Sequence, residues 1–239
     1  MLYGINFNGK HSYDDMGYTM PADGRDIGFP SKEKIVVKVP FSNVEYDFSE
    51  IYGSQTYTSR TLKYQFNVLR QGNFTPHAMQ IEKTKLINWL MNTGGRKKLY
   101  DDTIPGYYFL AEVESAADFQ DDWETGTMTV TFRAYPFMIA ELYEGNDIWD
   151  SFNFDLDVAQ TTNFTVNGML QMVLLNVGAS GVVPEITTSK QMKIIKDGVT
   201  YTVSTGITRD KNFVLKSGEN PIKVTGNGTI SFRFYKELI

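Results

Sequence analysis

Apolar and polar residues alternate along three stretches of the chain, residues 61–68, 128–134 and 230–234. Successive side chains of a β-strand point to opposite faces, so this period of two predicts strands with one buried face. The apolar positions, expected in the core, are Leu62, Tyr64, Phe66 and Val68; Met128, Val130, Phe132 and Ala134; and Ile230, Phe232 and Phe234. The pattern predicts a mainly β protein.

Turn residues mark the ends of several predicted strands. Asn8-Gly9 follows the apolar start of the chain, and Asp197-Gly198 lies between MKIIK and VTYTV. Asp-Gly between two strand-like runs is the strongest short-range signal for a hairpin. Gly226-Asn227-Gly228 separates IKVT from TISFRF and predicts a further turn.

One segment has helical rather than strand periodicity. Thr75 is suited to cap a helix, and Pro76 suits its first position, where the missing N–H costs nothing. Gly94-Gly95 is expected to stop the helix. Its predicted buried stripe consists of Met79, Leu86 and Leu90, with Ile87 and Met91 alongside.

The domain boundary is placed between residues 135 and 146, after the helix and several strong strands. No linker rich in proline, glycine or serine marks it. We predict an N-terminal domain of residues 1–139 that contains the helix. We predict a second β domain of residues 140–239.

Composition removes several classes of function. The 239 residues include no cysteine, which excludes disulfides, thiolate metal sites and cysteine nucleophiles. There are 28 acidic and 23 basic residues, a formal charge of -5, which argues against nucleic acid as the main partner. No apolar run is long enough for a membrane-spanning helix, and no secretory signal is evident at the start. We therefore expect a soluble protein made in the cytosol.

Two histidines and two acidic clusters are the candidates for catalysis or metal binding. His11 and His77 are predicted to be surface or packing residues, because no nucleophile and orienting carboxylate can be paired with them from sequence. Paired carboxylates could hydrolyse glycosides in a cleft, but the adjacent Asp101-Asp102 should point apart on an extended chain. The second cluster is read as a solvated acidic loop without calcium-loop order; it contains Asp118, Asp121, Asp122 and Glu124. We predict no enzyme activity, no metal and no cofactor.

A short basic run, Arg96, Lys97 and Lys98, follows the predicted helix. It could grip phosphate or an acidic neighbour, it could be solvated, or it could pair with the helix C-terminus, where positive charge is favoured. Gly226-Asn227-Gly228 opens no helix, so the dinucleotide-binding fingerprint is absent there.

The order of several segments resembles the N-terminal domain of the distal tail protein family of siphophages that infect Gram-positive hosts. The segments are YGINFNGKHSYDDMGYTM; IVVKVPFSNVEYDFSEIYGSQTYTSRTLKYQFNV, which includes Arg60; KTKLINWLMNTGGRKKLYDDTIPGYYFLAEV; and TMTVTFRAYPFM. Together they cover about residues 1 to 138. The C-terminal part resembles the family's galectin-like β-sandwich through VLKSGENPIKVTGNGTISFRFY.

This resemblance implies a structural virion protein. Family members form a hexameric ring at the end of a long non-contractile tail, built by N-terminal belt domains. The ring stacks on tail-tube protein on one side and on the tail-associated tip protein on the other. The C-terminal domains dock receptor-binding proteins in many phages. The resemblance implies location at the virion tail tip after assembly in the host cytoplasm, DNA passage through the ring, and no membrane or sequence-specific nucleic-acid binding.

Two hypotheses about charge follow from a ring. Acidic side chains that face its lumen would keep DNA phosphates from sticking. Pairs between Arg96, Lys97 and Lys98 of one copy and Asp118, Asp121 and Asp122 of the next would set the register of neighbours.

Two other functions stay open. A lectin-like module for host adhesion is suggested by the sandwich resemblance, although residues 141–239 contain no histidine and one tryptophan, Trp149. A cell-wall hydrolase is disfavoured by the scarcity of histidine and by carboxylates that do not look paired.

Overall fold

The computed structural model describes residues 3–51, 54–69, 75–115, 118–121, 125–149 and 152–239. The chain is mainly β, as predicted, and these residues contain one α-helix. In chain order the elements are β1 (Ile5–Phe7), β2 (Lys10–His11), β3 (Arg25–Ile27), β4 (Val36–Lys38), β5 (Glu45–Asp47), β6 (Arg60–Leu69), α1 (Pro76–Met91), β7 (Lys97–Asp101), β8 (Tyr107–Val113), β9 (Asp118–Asp121), β10 (Thr125–Ala134), β11 (Met138–Ala140), β12 (Asn163–Asn176), β13 (Glu185–Thr188), β14 (Met192–Lys196), β15 (Val199–Val203), β16 (Gly206–Thr208), β17 (Gly218–Arg233) and β18 (Glu237–Leu238).

The chain divides into two compact units. The first contains Met1–Lys34, Thr56–Met138 and Ile239, and the second contains Ile35–Gln55 and Ile139–Leu238. Residues 35–55 thus group with the second unit, although they fall inside the predicted N-terminal domain, residues 1–139. The belt and galectin-like assignments of the two predicted domains stay predictions.

The first unit is built on an antiparallel sheet with strand order β2-β1-β7-β8-β10-β6-β3, to which β9 adds by pairing with β10. The longest ladder joins β6 and β10, from Arg60 opposite Ala134 to Leu69 opposite Thr125. Asn8 and Gly9 both have positive φ, 50° and 75°, and form the tight turn between β1 and β2. The predicted strand end at Asn8-Gly9 is therefore confirmed.

The core of the first unit follows the predicted alternation. The apolar positions of β6 and β10 named above are at most 1% exposed, while Thr61, Lys63 and Thr131 face solvent. Helix α1 packs its own apolar side on this sheet through Met79, Leu86, Trp89 and Leu90.

The predicted helix and its N-terminal cap are confirmed, although the helix ends at Met91, with Asn92 as its C-cap, before Gly94-Gly95. Thr75 Oγ1 accepts a hydrogen bond from the backbone N of Ala78 at 3.2 Å, and Pro76 begins the helix. The predicted stripe was wrong at Met91, which is 40% exposed. At 100° per residue Met91 is turned past the buried side, whereas Trp89 lies on it.

Trp89 joins the helix to the sheet. Its indole Nε1 donates to the carbonyl oxygen of Phe7 at 2.7 Å, so its one polar atom is satisfied although the residue is buried. Its ring meets those of Phe7 and Phe66 edge-on, with centroids 6.5 and 5.9 Å away.

The second unit contains a sheet of order β15-β14-β17-β13-β16, and β12 pairs with the other side of β17. The predicted hairpin at Asp197-Gly198 is confirmed: Lys196 faces Val199, and both turn residues have positive φ, 52° and 78°. Ile230, Phe232 and Phe234 are at most 2% exposed, as predicted.

The turn predicted at Gly226-Asn227-Gly228 was wrong, because β17 runs without a break from Gly218 to Arg233. A Cβ at Gly226 would lie 2.9 Å from Met192 Cγ, and one at Gly228 would lie 2.4 Å from Ser189 Oγ. The glycines therefore allow close packing and unusual φ values within one long strand.

Candidate interaction surfaces

The predicted basic run lies at the start of β7. Arg96 Nε is 3.4 Å from Glu112 Oε1 in the same chain, with both side chains about one-third exposed. Lys98 Nζ lies 4.2 Å from the centre of the Tyr108 ring, and Lys97 is exposed. Arg96 thus has an acidic neighbour within its own chain, whereas the two lysines present their charge to solvent.

The predicted acidic loop was wrong in part, because Asp118 and Asp121 lie on strand β9 and pair with β10. Both side chains are exposed, and among the described residues neither makes an ion pair within 4.0 Å. Asp122 and Glu124 lie outside the described residues. Pairing of this acidic segment with Arg96, Lys97 and Lys98 of another copy stays a prediction.

His11 is held in one orientation by hydrogen bonds to both ring nitrogens. Its Nδ1 lies 3.3 and 3.1 Å from the backbone N atoms of Tyr13 and Asp14, so it accepts from them. Nε2 then carries the proton and donates to Asp102 Oδ2 at 3.0 Å. With both nitrogens engaged, His11 serves to hold this turn. His77 is an exposed residue in the first turn of α1.

The two adjacent carboxylates do point apart. Asp101 is 3% exposed and faces the core, where its Oδ1 accepts from the N and Oγ1 of Thr103 at 2.9 and 2.7 Å. Arg25 Nε lies 3.3 Å from the same oxygen. Burial, and then the nearby charge of Asp101, raise the pKa of Tyr64 well above its ordinary value.

A buried ionic cluster lies in the second unit. Lys236 Nζ contacts Asp157 and lies 3.9 Å from Glu144 Oε1, while Gln160 Nε2 donates to Glu144 Oε2 at 3.1 Å. Burial raises the pKa of Glu144, although the Gln160 hydrogen bond and Lys236 oppose this rise. Burial also lowers the pKa of Lys236. The cluster ties the segment around residue 144 to the C-terminal segment.

Residues 35–51 form an exposed hairpin, the feature least anticipated from the sequence. Within the part of the chain that the structure describes, strands β4 and β5 pair only with each other, and all their side chains are exposed. Phe41, in the turn between them, is fully exposed and has a φ of 62°. The exposed apolar side chains of the hairpin are Ile35, Val36, Val37, Phe41, Val44, Tyr46, Phe48 and Ile51.

The sequence contained a signal for this hairpin. In IVVKV the apolar residues do not alternate with polar ones, whereas in VEYDF they do. Val37 and Tyr46 therefore share a largely apolar face of the hairpin, and Val36 lies on the opposite face with Lys38, Glu45 and Asp47. A hairpin whose largely apolar face is exposed indicates a surface that is covered by something else.

Two further surfaces have distinctive chemistry. In the first unit, a groove of about 380 Å³ contains hydroxyl groups and the Arg133–Glu114 ion pair, whose Nη1–Oε1 distance is 3.0 Å.

In the second unit, the rings of Trp149, Phe152 and Phe154 follow one another, with centroids 5.1 and 5.2 Å apart. Trp149 and Phe154 are 60% and 85% exposed.

The described residues contain neither a cluster of metal-ligating side chains nor a membrane-spanning helix. Within the described ranges, no three His, Cys, Asp or Glu side chains come together in a way that could hold a metal ion. No described helix has the length and apolar character needed to cross a membrane.

Comparison with known proteins identifies the fold. No protein-family model matches the chain, and no curated protein matches it. Among solved structures it is similar to the SPP1 Dit (gp 19.1) protein, a paradigm of the hub adsorption apparatus in phages that infect Gram-positive bacteria. That likeness has a TM-score of 0.64 at 14% identity and covers 98% of this chain and 99% of that one. The p2 phage baseplate in its activated conformation with Sr is also similar, with a TM-score of 0.38 at 10% identity, covering 98% and 97%. The chain therefore has the fold of SPP1 Dit over nearly its full length.

Proposed function

We propose that this chain is a structural subunit of a phage tail tip. Six copies form a ring at the distal end of a long non-contractile tail, join the tail tube to the tip or baseplate proteins, and leave a passage for DNA. The likeness to a hub protein over almost the whole chain supports this role. The sequence segments of residues 1 to 138, which resemble the distal tail protein family in their order along the chain, support it independently of the structure.

The exposed hairpin, residues 35–51, carries the proposal. An isolated two-stranded hairpin is marginally stable in water, and this one buries almost none of its apolar side chains. Phe41 also adopts a φ that disfavours residues with a Cβ, at a cost on the order of 1 kcal/mol. Burial of the hairpin against another copy would offset both costs. A ring in which each copy contacts the next through different surfaces provides that burial on every copy.

The test compares the assembly of two double variants with that of the wild-type chain. Val37 and Tyr46 face each other in the hairpin, and Val37→Ser with Tyr46→Ser removes both apolar groups. The matched control is Val199→Ser with Ile207→Ser, which changes two residues of similar exposure elsewhere. Light-scattering mass and negative-stain images are measured on the same chromatographic peak.

We expect a wild-type ring of six times the 27.2 kDa chain mass. The hairpin variant should be monomeric with an unchanged melting temperature, and the control should assemble. A hairpin variant that forms the same ring would contradict the proposed interface. If the wild-type chain is monomeric, the measurement is repeated with tail-tube and tip proteins, and a mixture without rings would contradict the proposed function.

The basic run and the acidic strand offer a weaker contribution to the same ring. Arg96, Lys97 and Lys98 of one copy would face Asp118, Asp121 and Asp122 of the next. Exposed ion pairs contribute about 0–1 kcal/mol each, so they would tune register more than stability. Alanine at the three basic positions should weaken assembly at low salt and have less effect at high salt. Unaltered assembly at low salt would refute this pairing.

Docking partners are proposed on the same basis. The ring would stack on tail-tube protein on one side and on the tail-associated tip protein on the other, and the C-terminal part would dock a receptor-binding protein. The role is structural rather than catalytic. Pull-down of each purified partner by the assembled ring, compared with the monomeric hairpin variant, tests whether stacking depends on the ring.

A second candidate function is carbohydrate binding, because Trp149, Phe152 and Phe154 present an exposed aromatic row of the kind that can stack on sugar rings. A glycan screen with the wild-type chain and Trp149→Ala tests it. Binding lost in the variant would favour a host-adhesion module. An empty screen would remove this alternative.

A further inference from the structure

Arg60 is a buried cation that has no ion-pair partner among the described residues. It is 2% exposed, and its Nε and Nη2 atoms have no hydrogen-bond partner among the described residues. Burial lowers the pKa of Arg60. A guanidinium stays charged under these conditions because its ordinary pKa is so high. The isolated chain therefore carries an uncompensated charge, an arrangement that is costly unless a partner supplies the missing acceptor.

Two aromatic rings flank the guanidinium. Its Cζ lies 5.2 Å from the centre of the Phe109 ring, which is buried, and 6.0 Å from that of Phe29, which is 80% exposed. Contacts with ring faces offset part of the burial cost but accept no hydrogen bond from the remaining N–H groups. Phe29 is the exposed neighbour of Arg60, so a partner would reach the buried guanidinium by turning this ring aside.

Gly28 positions Phe29 above Arg60. Its N donates to the carbonyl oxygen of Thr61 at 3.1 Å, and a Cβ at this position would lie only 2.8 Å from that oxygen. The close approach of the two backbones, which a side chain would prevent, brings Phe29 beside the residue that precedes Thr61. The backbone contact thus fixes where residue 29 lies, while its exposed ring can turn about its own side-chain bonds.

We propose that Arg60 and Phe29 form a socket that receives a carboxylate side chain from a second copy of this chain. The socket would complete the ring interface, so this inference rests on the proposed function. Phe29 comes shortly before the exposed hairpin in the chain, and Arg60 follows it. Each copy has more acidic than basic residues, and Asp118 and Asp121 are exposed carboxylates without an ion pair among the described residues.

The main test replaces the charge but keeps an apolar side chain. Arg60→Met removes the unpaired cation from the core, so the isolated chain should melt at the same or a higher temperature. Its self-association should weaken at least tenfold, measured by sedimentation over a range of concentrations. Arg209→Met is the matched control, because Arg209 is 66% exposed and its loss removes the same charge from the surface. The control should leave association within twofold of wild type.

A second measurement uses a small carboxylate as the probe. Sodium acetate, compared with sodium chloride at equal ionic strength, should raise the melting temperature of the wild-type chain and leave that of Arg60→Met unchanged. Equal shifts in both proteins would show that Arg60 binds no carboxylate and would overturn the socket.

The outcomes separate the socket from the ring. A wild-type ring that Arg60→Met also forms with similar affinity overturns the socket and leaves the ring intact. A lower melting temperature for Arg60→Met overturns the socket too, because the cation would then serve the isolated chain. A wild-type chain that never self-associates rejects a second copy as the source of the carboxylate.

Discussion

The β6–β10 ladder and the β4–β5 hairpin are both antiparallel strand pairs rich in residues that favour strands. In the first, alternate side chains such as Phe66 and Phe132 are completely buried. In the second, every strand side chain is exposed. The local preference for strand is similar in the two pairs, so the difference lies in what packs on them. The ladder is stabilised inside its own chain, and the hairpin requires burial from outside to reach similar stability.

Hydrogen exchange should show the largest contrast between the two strand pairs. Amides of β10 that pair with β6 should exchange only through global unfolding, at a free energy of about 5–15 kcal/mol. The Val39 amide, which donates to Val44 O at 3.1 Å, should open at close to zero cost in the isolated chain. Assembly should then protect the hairpin. If the hairpin amides of the monomer exchange as slowly as those of the β6–β10 ladder, the proposed difference in stability between the two strand pairs is wrong.

The next largest contrast is expected in the free energy of unfolding, when one residue of each strand pair is replaced. Phe132 meets the rings of Phe7 and Tyr64 edge-on at 5.0 and 5.9 Å, and Phe132→Ala should lower the free energy of unfolding by about 3–5 kcal/mol. The matched hairpin change, Tyr46→Ala, should lie within about 0.5 kcal/mol of wild type because Tyr46 is 56% exposed. Urea unfolding measures both, and equal losses would contradict the assignment of stability to burial.

A smaller effect is expected in the pH dependence of stability, through the buried acid Glu144. Burial raises the pKa of folded Glu144 above its unfolded value, so the resulting stabilisation is present at low pH and is lost as pH rises through the folded pKa. Glu144→Gln stays neutral, and its stability relative to wild type should therefore improve as pH rises through that range. Thermal melts from pH 3 to pH 8 check this. A difference between Glu144→Gln and wild type that does not change with pH would contradict the role of burial.

The smallest effect concerns the hairpin turn. Phe41→Gly relieves a φ of 62° and removes a fully exposed ring, so the isolated chain should be unchanged or more stable by at most about 1 kcal/mol. The same variant should assemble less well than wild type. Urea unfolding combined with light scattering measures both properties. Loss of stability in the monomer would show that Phe41 already packs within its own chain.

The sequence predicted those parts of the fold that depend on local rules. Alternation identified the buried faces of β6, β10 and β17, and capping residues located α1. The wrong prediction at Met91 concerns a local helical angle, whereas the wrong turn depends on contacts between distant residues. Gly226 and Gly228 make room for Met192 and Ser189 within one strand.

The candidate surfaces were less predictable for the same reason. The charged residues Arg96, Lys97, Lys98, Asp118 and Asp121 could be identified, but the contact of Arg96 with Glu112 depends on the pairing of β7 with β8. The surroundings of Arg60, which lack an acceptor for Nε and Nη2 among the described residues, depend on two distant segments that bring Phe29 and Phe109 beside it. The strands of the exposed hairpin could be expected from its apolar residues, which alternate with acidic ones from Val44 to Phe48. Its exposure depends on what packs against it within the described residues, and no local rule of sequence reports that.

The placement of the tryptophans gives each unit its own optical reporter. Trp89 is 5% exposed and hydrogen-bonded in the first unit, whereas Trp149 is 60% exposed in the second. The third tryptophan of the sequence, Trp123, lies outside the described residues and is replaced by phenylalanine. In this Trp123→Phe background, Trp89 should emit at short wavelength until the first unit unfolds, and Trp149 should emit at long wavelength throughout. During one denaturation, a shift of the Trp89 emission to longer wavelength would therefore report unfolding of the first unit. A change in the intensity of the Trp149 emission would report the environment of the aromatic row formed by Trp149, Phe152 and Phe154.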